Sequence, residues 1–175
     1  MEILGQIDER AILYCNVRTE NDWFEKLPEE NWIAFTIVDK EDEEFLRDMT
    51  AKCIERKTCY TVSTGQLGSI TEDSFDWRIV EVEQKRAGES ETEEDYERTP
   101  MTSFHLNFSE GFWFATVVAK QIIYDEYVIS KEVVCIDCTK RKVRGHLLKL
   151  IAMINDRWLP SDDARGDEPP VYDED

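Results

Sequence analysis

A chain of 175 residues with 41% hydrophobic and 11% aromatic side chains suits one domain with a substantial core. Its net charge of −18 disfavours direct nucleic-acid binding, which needs a basic face for phosphate. No apolar run reaches the roughly 18 residues of a spanning helix.

The charge is unevenly spread. Glu89 to Glu97 holds six acids and no base, and Ser161 to Asp175 carries a net −6, leaving −6 for the rest. A single domain over 1–160 is expected, with a solvated acidic loop at 86–99 and a disordered acidic tail at 161–175, because such stretches bury too little to offset ordering. The start, MEILGQIDER, lacks the basic and apolar regions of a signal peptide. The five cysteines, an odd number, read as reduced thiols of a cytoplasmic protein.

In chain order, residues 11–17 (AILYCNV) predict a first or edge strand, and 18–31 a polar connection. Residues 32–38 (WIAFTIV) are apolar throughout, as in a strand buried on both faces. Asp39 ends that strand. The acids at 41–44 open a helix to about Lys57, whose Phe45, Leu46, Met49, Cys53 and Ile54 share one side. A strand at 58–63 leads into Thr64-Gly65-Gln66-Leu67-Gly68. Ser69 and Glu72 have capping-box spacing, which predicts a short helix over 70–76, and the alternation near Val80 and Val82 predicts a strand over 78–84.

Residues 101–107 predict another strand, and Ser109 caps a helix over 110–121 that is apolar almost all round, so buried in the fold or covered by a partner. Residues 132–137 (EVVCID) form the last strand. Val143, Leu147, Leu150, Ile151, Ile154 and Trp158 then line one face of a helix that Pro160 stops. Buried strands alternating with helices predict an α/β three-layer sandwich with a mainly parallel central sheet, Rossmann-like or flavodoxin-like, in a single domain.

The strand before Thr64-Gly65, then Phe75-Asp76, Met101-Thr102-Ser103-Phe104-His105 and the aromatic helix Glu110 to Ala119 resemble a family of small bacterial hypothetical proteins. Its members carry a Met-Thr-Thr-Trp-His strand followed by a helix rich in Leu, Trp and Phe. The resemblance spans about 32–138, departs at Ser103 and Phe104, and implies a domain type but no activity.

Two groups of candidate residues stand out. Thr139, a plausible N-cap, is followed by Lys140, Arg141, Lys142 and Arg144, cations where a helix dipole prefers acids. With Thr64, Gly65, Gln66, Ser69 and His105 at the same carboxyl edge of the sheet, they form a candidate anion or ligand site. The competing reading pairs these bases with the chain's own acids, near Asp39. Trp23 and Phe24 beside Glu29 and Glu30 form the candidate partner surface.

Cys135 and Cys138 have CxxC spacing, but residues three apart on a strand face opposite ways. Asp39 and Asp137 would share a cation only on adjacent strands. No zinc, P-loop or catalytic-triad motif is present, so no cofactor, metal or catalytic residue is assigned.

These features point to a non-catalytic cytoplasmic acidic binding protein of the antitoxin, immunity or accessory type, engaging a basic protein partner. The alternative is a nucleotide- or phosphate-binding α/β domain, which an enzyme could use. A homo-oligomer built on the helix 110–121 stays open.

Overall fold

The runs richest in β-branched and aromatic residues form the middle of the sheet. In the computed structural model, which describes residues 1–40, 43–86, 99–123, 126–128 and 130–160, they are β3 (Trp32–Ile37), β4 (Thr58–Thr64) and β8 (Glu132–Asp137). Around them lie β1 (Glu2–Ile7), β2 (Arg10–Asn16), β5 (Met101–Phe104) and the pair β6 (Gln121–Ile123) and β7 (Glu126–Val128). The helices are α1 (Glu43–Glu55), α2 (Gly68–Arg86), α3 (Phe108–Trp113) and α4 (Val143–Asn155).

Six strands form one sheet in the order β1-β2-β8-β3-β4-β5. Only β1 runs antiparallel to its neighbour; the rest are parallel. The described residues thus make a single α/β domain with a mixed, mostly parallel six-stranded sheet and four α-helices. β6 and β7 form a separate antiparallel pair.

Alternation along the central strands builds two cores. Ile33, Phe35, Ile37, Val133 and Cys135 pack with Phe112 of α3 and Leu147, Leu150 and Ile151 of α4. Ala34, Val38, Val134, Ile136 and Cys138 pack with Leu46, Met49 and Cys53 of α1 and Phe75 of α2. Neighbouring residues on a strand face opposite ways, so one apolar run serves both cores. Each fully buried side chain of this size is worth about 1.5–3 kcal/mol.

Several expectations are corrected. Residues 11–17 are not an edge, because β1 pairs along β2 on its outer side. The helix over 70–76 and the strand over 78–84 are one helix, α2, in which Ser69 lies inside the first turn rather than at the cap. Thr71, Phe75 and Ile79 bury one face at helical spacing, while Ile70, Trp77 and Val80 are exposed. Those outward apolar side chains disguise the helical period.

The strand over 101–107 stops at Phe104. The helix over 110–121 begins at Phe108, capped by Asn107, whose side chain accepts from the Glu110 N–H at 3.0 Å. It then widens into a π-helical stretch, Phe114–Val118, closed by the Ala119 N–H donating to the Phe114 carbonyl at 2.8 Å. The first core covers Phe112, Ala115 and Ala119, with Trp113, Phe114 and Val117 packed against it, so most of this apolar stretch is covered by the fold, while Val118 is exposed.

Buried Arg10 donates to the carbonyls of Ala115 and Ala119, satisfying the end of that stretch. Nearly all of the 86–99 loop and the whole 161–175 tail lie outside the described residues.

Candidate functional site

The carboxyl ends of β2, β8 and β3 lie side by side: Asn16 pairs in register with Asp137, and Asp137 with Ile37. The chain leaves β3 for α1, in the second core, and leaves β8 for α4, in the first. In open α/β sheets the crevice at such a divergence is where ligands bind.

Asp137 is fully buried there and is the hub. One carboxylate oxygen accepts from Tyr14 Oη at 2.7 Å and Asn16 Nδ2 at 3.0 Å. The other accepts from the Thr139 N–H at 2.8 Å and its hydroxyl at 2.7 Å. Burial raises the Asp137 pKa, and the four hydrogen bonds oppose that rise. Burial and the adjacent Asp137 charge likewise push the Tyr14 hydroxyl pKa up.

Thr139 is therefore not the helix cap. It closes a turn on Asp137, and its hydroxyl accepts from the Arg141 N–H at 3.1 Å. α4 starts only at Val143, so Lys140 and Arg141 precede its first turn. Arg144, within that turn, binds Glu2 of β1, with Nε donating to Oε2 at 2.8 Å.

Asp39 joins the two halves of the expected anion site. Its Oδ1 accepts from the Gln66 N–H at 3.3 Å, and its Oδ2 lies 3.2 Å from Arg141 Nε. Gln66 and Arg141 thus converge on the chain's own carboxylate. Arg18 reinforces the same corner, its Nε donating to the Cys138 carbonyl at 2.7 Å.

The glycine loop also serves the fold. Gly65 has φ +96°, and a Cβ there would sit 2.3 Å from the Val38 carbonyl oxygen. Thr64 accepts from the Val38 N–H at 3.0 Å, and the Leu67 N–H donates to Val38 at 2.9 Å. The close approach that glycine permits is filled by β3's own extension. Thr64 is buried and its hydroxyl donates to the His105 carbonyl at 3.1 Å, while Gln66, Ser69 and Lys140 are exposed.

His105 lies against the Phe114 ring, 4.8 Å between centroids, with Nδ1 3.7 Å from Glu110 Oε1. Burial lowers its pKa, and Glu110 opposes the change.

The expected partner surface is corrected at Trp23, which is 5% exposed and belongs to the second core. Phe24 is half-buried, and Lys52 and Arg56 lie over its ring. A short 3-10 turn, Trp23–Lys26, presses this pair inward. Glu29 and Glu30 are exposed, and Glu30 pairs with Lys57 at 3.5 Å.

The CxxC thiols are separated: Cys135 faces the first core and Cys138 the second. All five cysteines are buried, and burial raises the Cys135 pKa and pushes Cys15 to about 12. Asp137 ends β8, and Asp39 follows shortly after the end of the adjacent β3, but both accept hydrogen bonds from their own chain. Among the described residues no group of three or more His, Cys, Asp or Glu is arranged to hold a metal. Nor is any helix there long and apolar enough to cross a membrane.

Sequence reasoning missed the Tyr14–Asn16–Asp137–Thr139 network. Its one local signal is Asp137 two residues before Thr139, the spacing of an Asx turn. It also missed Trp77, 71% exposed on α2.

A family model described as a domain of unknown function (DUF7684) matches residues 12–154. No curated protein matches the chain, and no solved structure does.

Proposed function

We propose, from the premise that the chain belongs to the DUF7684 family of unknown function, that it is a non-catalytic acidic binding protein. Its partner on this reading is a basic protein, and its type is antitoxin, immunity or accessory. The observation that carries it is the net charge of −18 together with carboxylates of α2 that, among the described residues, have no cation paired with them. Glu72, Asp73 and Asp76 crowd one another on α2, and among the described residues no ion pair forms with any of them. Charge of one sign speeds encounter with an oppositely charged partner and discriminates against others.

The reactive side chains favour the same reading. Asp137, Thr139, Arg141 and Thr64 are each engaged by the fold's own groups. Five buried thiols suit a reducing cytoplasm. We further read the domain as a three-layer, Rossmann-like or flavodoxin-like sandwich, since α1 and α2 join one core and α3 and α4 the other.

Affinity purification from the native host at low and high salt tests the proposal. A basic protein retained at low salt and released at high salt is expected. A chain that purifies alone at both salts, from a host that expresses its genomic neighbours, counts against it.

A second reading rests on one specific observation, the divergence of β3 and β8 with exposed Lys140 beside it. It makes that crevice a phosphate or nucleotide site, where an anion would displace Asp39 from Arg141. Thermal shift against nucleotides and inorganic phosphate tests it. A ligand at 100 times its Kd adds about 2.7 kcal/mol, and Lys140→Glu with Arg141→Glu should abolish the shift. A flat panel ends this reading.

A further inference from the structure

We propose that the flank formed by α2 and the outer edge of β5 is the docking surface for a basic, extended segment of the partner protein. The inference rests on the acidic-binding reading above and names its surface.

Three observations meet on this flank. Trp77 is 71% exposed, with Ile70 at 51% two turns before it and Val80 at 39% one turn beyond. Asp73, Trp77, Val80 and Gln84 follow helical spacing and form one outward stripe. An indole in water forgoes the burial that makes Trp the commonest anchor in protein interfaces.

Beside the stripe, Asp76 reaches β5, accepting from the Thr102 hydroxyl at 2.6 Å. β5 ends the sheet: it pairs with β4 on one side, and among the described residues nothing pairs with its other side. The outer strand of a sheet offers backbone N–H and C=O groups to an added strand.

Charge then decides the occupant. Glu72, Asp73 and Asp76 lie within two turns, and burial followed by the repulsion of Asp76 and Asp73 raises the Glu72 pKa from its ordinary value. A cation brought to this trio relieves that repulsion. A second copy joined edge to edge about a twofold axis would instead set trio against trio. The surface therefore selects lysine or arginine on an extended chain, with an apolar residue to cover Trp77.

The full chain is titrated with a short fluorescent peptide of alternating lysine and valine, and with its glutamate–valine counterpart. Variants are Trp77→Ala, the pair Asp73→Lys with Asp76→Lys, and the control pair Glu29→Lys with Glu30→Lys; circular dichroism checks their folding. The lysine peptide alone is expected to bind and to shift the backbone amide signals of residues 101–104. Trp77→Ala and the Asp73/Asp76 pair should each weaken it by roughly tenfold or more, and the control pair by less than about twofold.

Equal binding by wild type, Trp77→Ala and the Asp73/Asp76 pair, with loss in the control pair, overturns this surface and leaves the acidic-binding reading standing. Failure of the lysine peptide to bind at low salt overturns the inference. The host purification then decides the broader reading by itself. A dimer that Trp77→Ala converts to monomer in light scattering also overturns it, because a second copy then covers the flank.

Discussion

The carboxyl edge around Asp137 and the flank around Trp77 are both rich in charge, and they treat it oppositely. At the edge, each acid has donors from its own chain: four hydrogen bonds on Asp137, an arginine and an amide on Asp39. On the flank, Asp73 and Asp76 repel Glu72, Asp76 accepts from the Thr102 hydroxyl but pairs with no cation among the described residues, and a large aromatic ring faces water. Satisfied charges hold a fold, whereas unsatisfied ones on a surface leave free energy for a partner to recover. The edge looks functional in the sequence because its bases sit beside a helix start, yet Arg141 pairs with Asp39 and Arg144 with Glu2, while Lys140 is exposed. The flank went unnoticed.

This contrast breaks first at Asp137. Asp137→Ala leaves four donors without their acceptor in a buried place, so urea unfolding should show a loss of about 3 kcal/mol or more. A loss below about 1 kcal/mol would mean the hub holds little, and the edge would return as a ligand site.

Gly65→Ala comes next. Its Cβ meets the Val38 carbonyl, and φ +96° strains any L side chain. A loss of about 2 kcal/mol in the same assay is expected. An unchanged protein would show the loop able to move away from β3.

The effect of His105 is smaller and depends on pH. Burial lowers its folded pKa below the unfolded value of about 6.5, so the unfolded chain takes up a proton first. The stability it confers is complete above about pH 6.5 and falls away as pH drops through the lowered folded pKa. His105→Gln should flatten that part of the stability–pH curve; the same slope in the variant would assign it to other groups.

Trp77→Ala should matter least to folding, shifting stability by no more than about 0.5 kcal/mol, as for a largely exposed position. A loss above about 1.5 kcal/mol would make Trp77 a packing residue and erase the contrast with the edge.

The elements legible in advance were those whose pattern is local. The sequence places β3, β8, α1 and α4 within a few residues, since continuous apolar runs and clean helical spacing need no tertiary context. α2 was divided because Ile70, Trp77 and Val80 put apolar groups on its solvent side, and a period count cannot separate a core residue from a docking residue. The same ambiguity placed Trp23 on the surface: an aromatic among acids reads as exposed until the turn that buries it is known.

By itself, the sequence determined the α/β class, the two-faced burial of the central strands, the surplus of acid and the glycine loop at the end of β4, all consequences of residue type and short-range spacing. Only the tertiary structure decided which charges are spent. Asp39 and Arg141 are 102 positions apart, and Tyr14 and Asp137 are 123 apart. Their meeting follows from β8 inserting between β2 and β3, a strand order that no local pattern encodes. Insertion places Asp137 beside Asn16 and Tyr14 and brings the turn after it to Asp39, so Arg141 has a carboxylate of its own chain beside it. Along α2 the packing of Phe75 in the second core and the burial of Ile79 turn Trp77 outward, because a helix can bury only one side at a time.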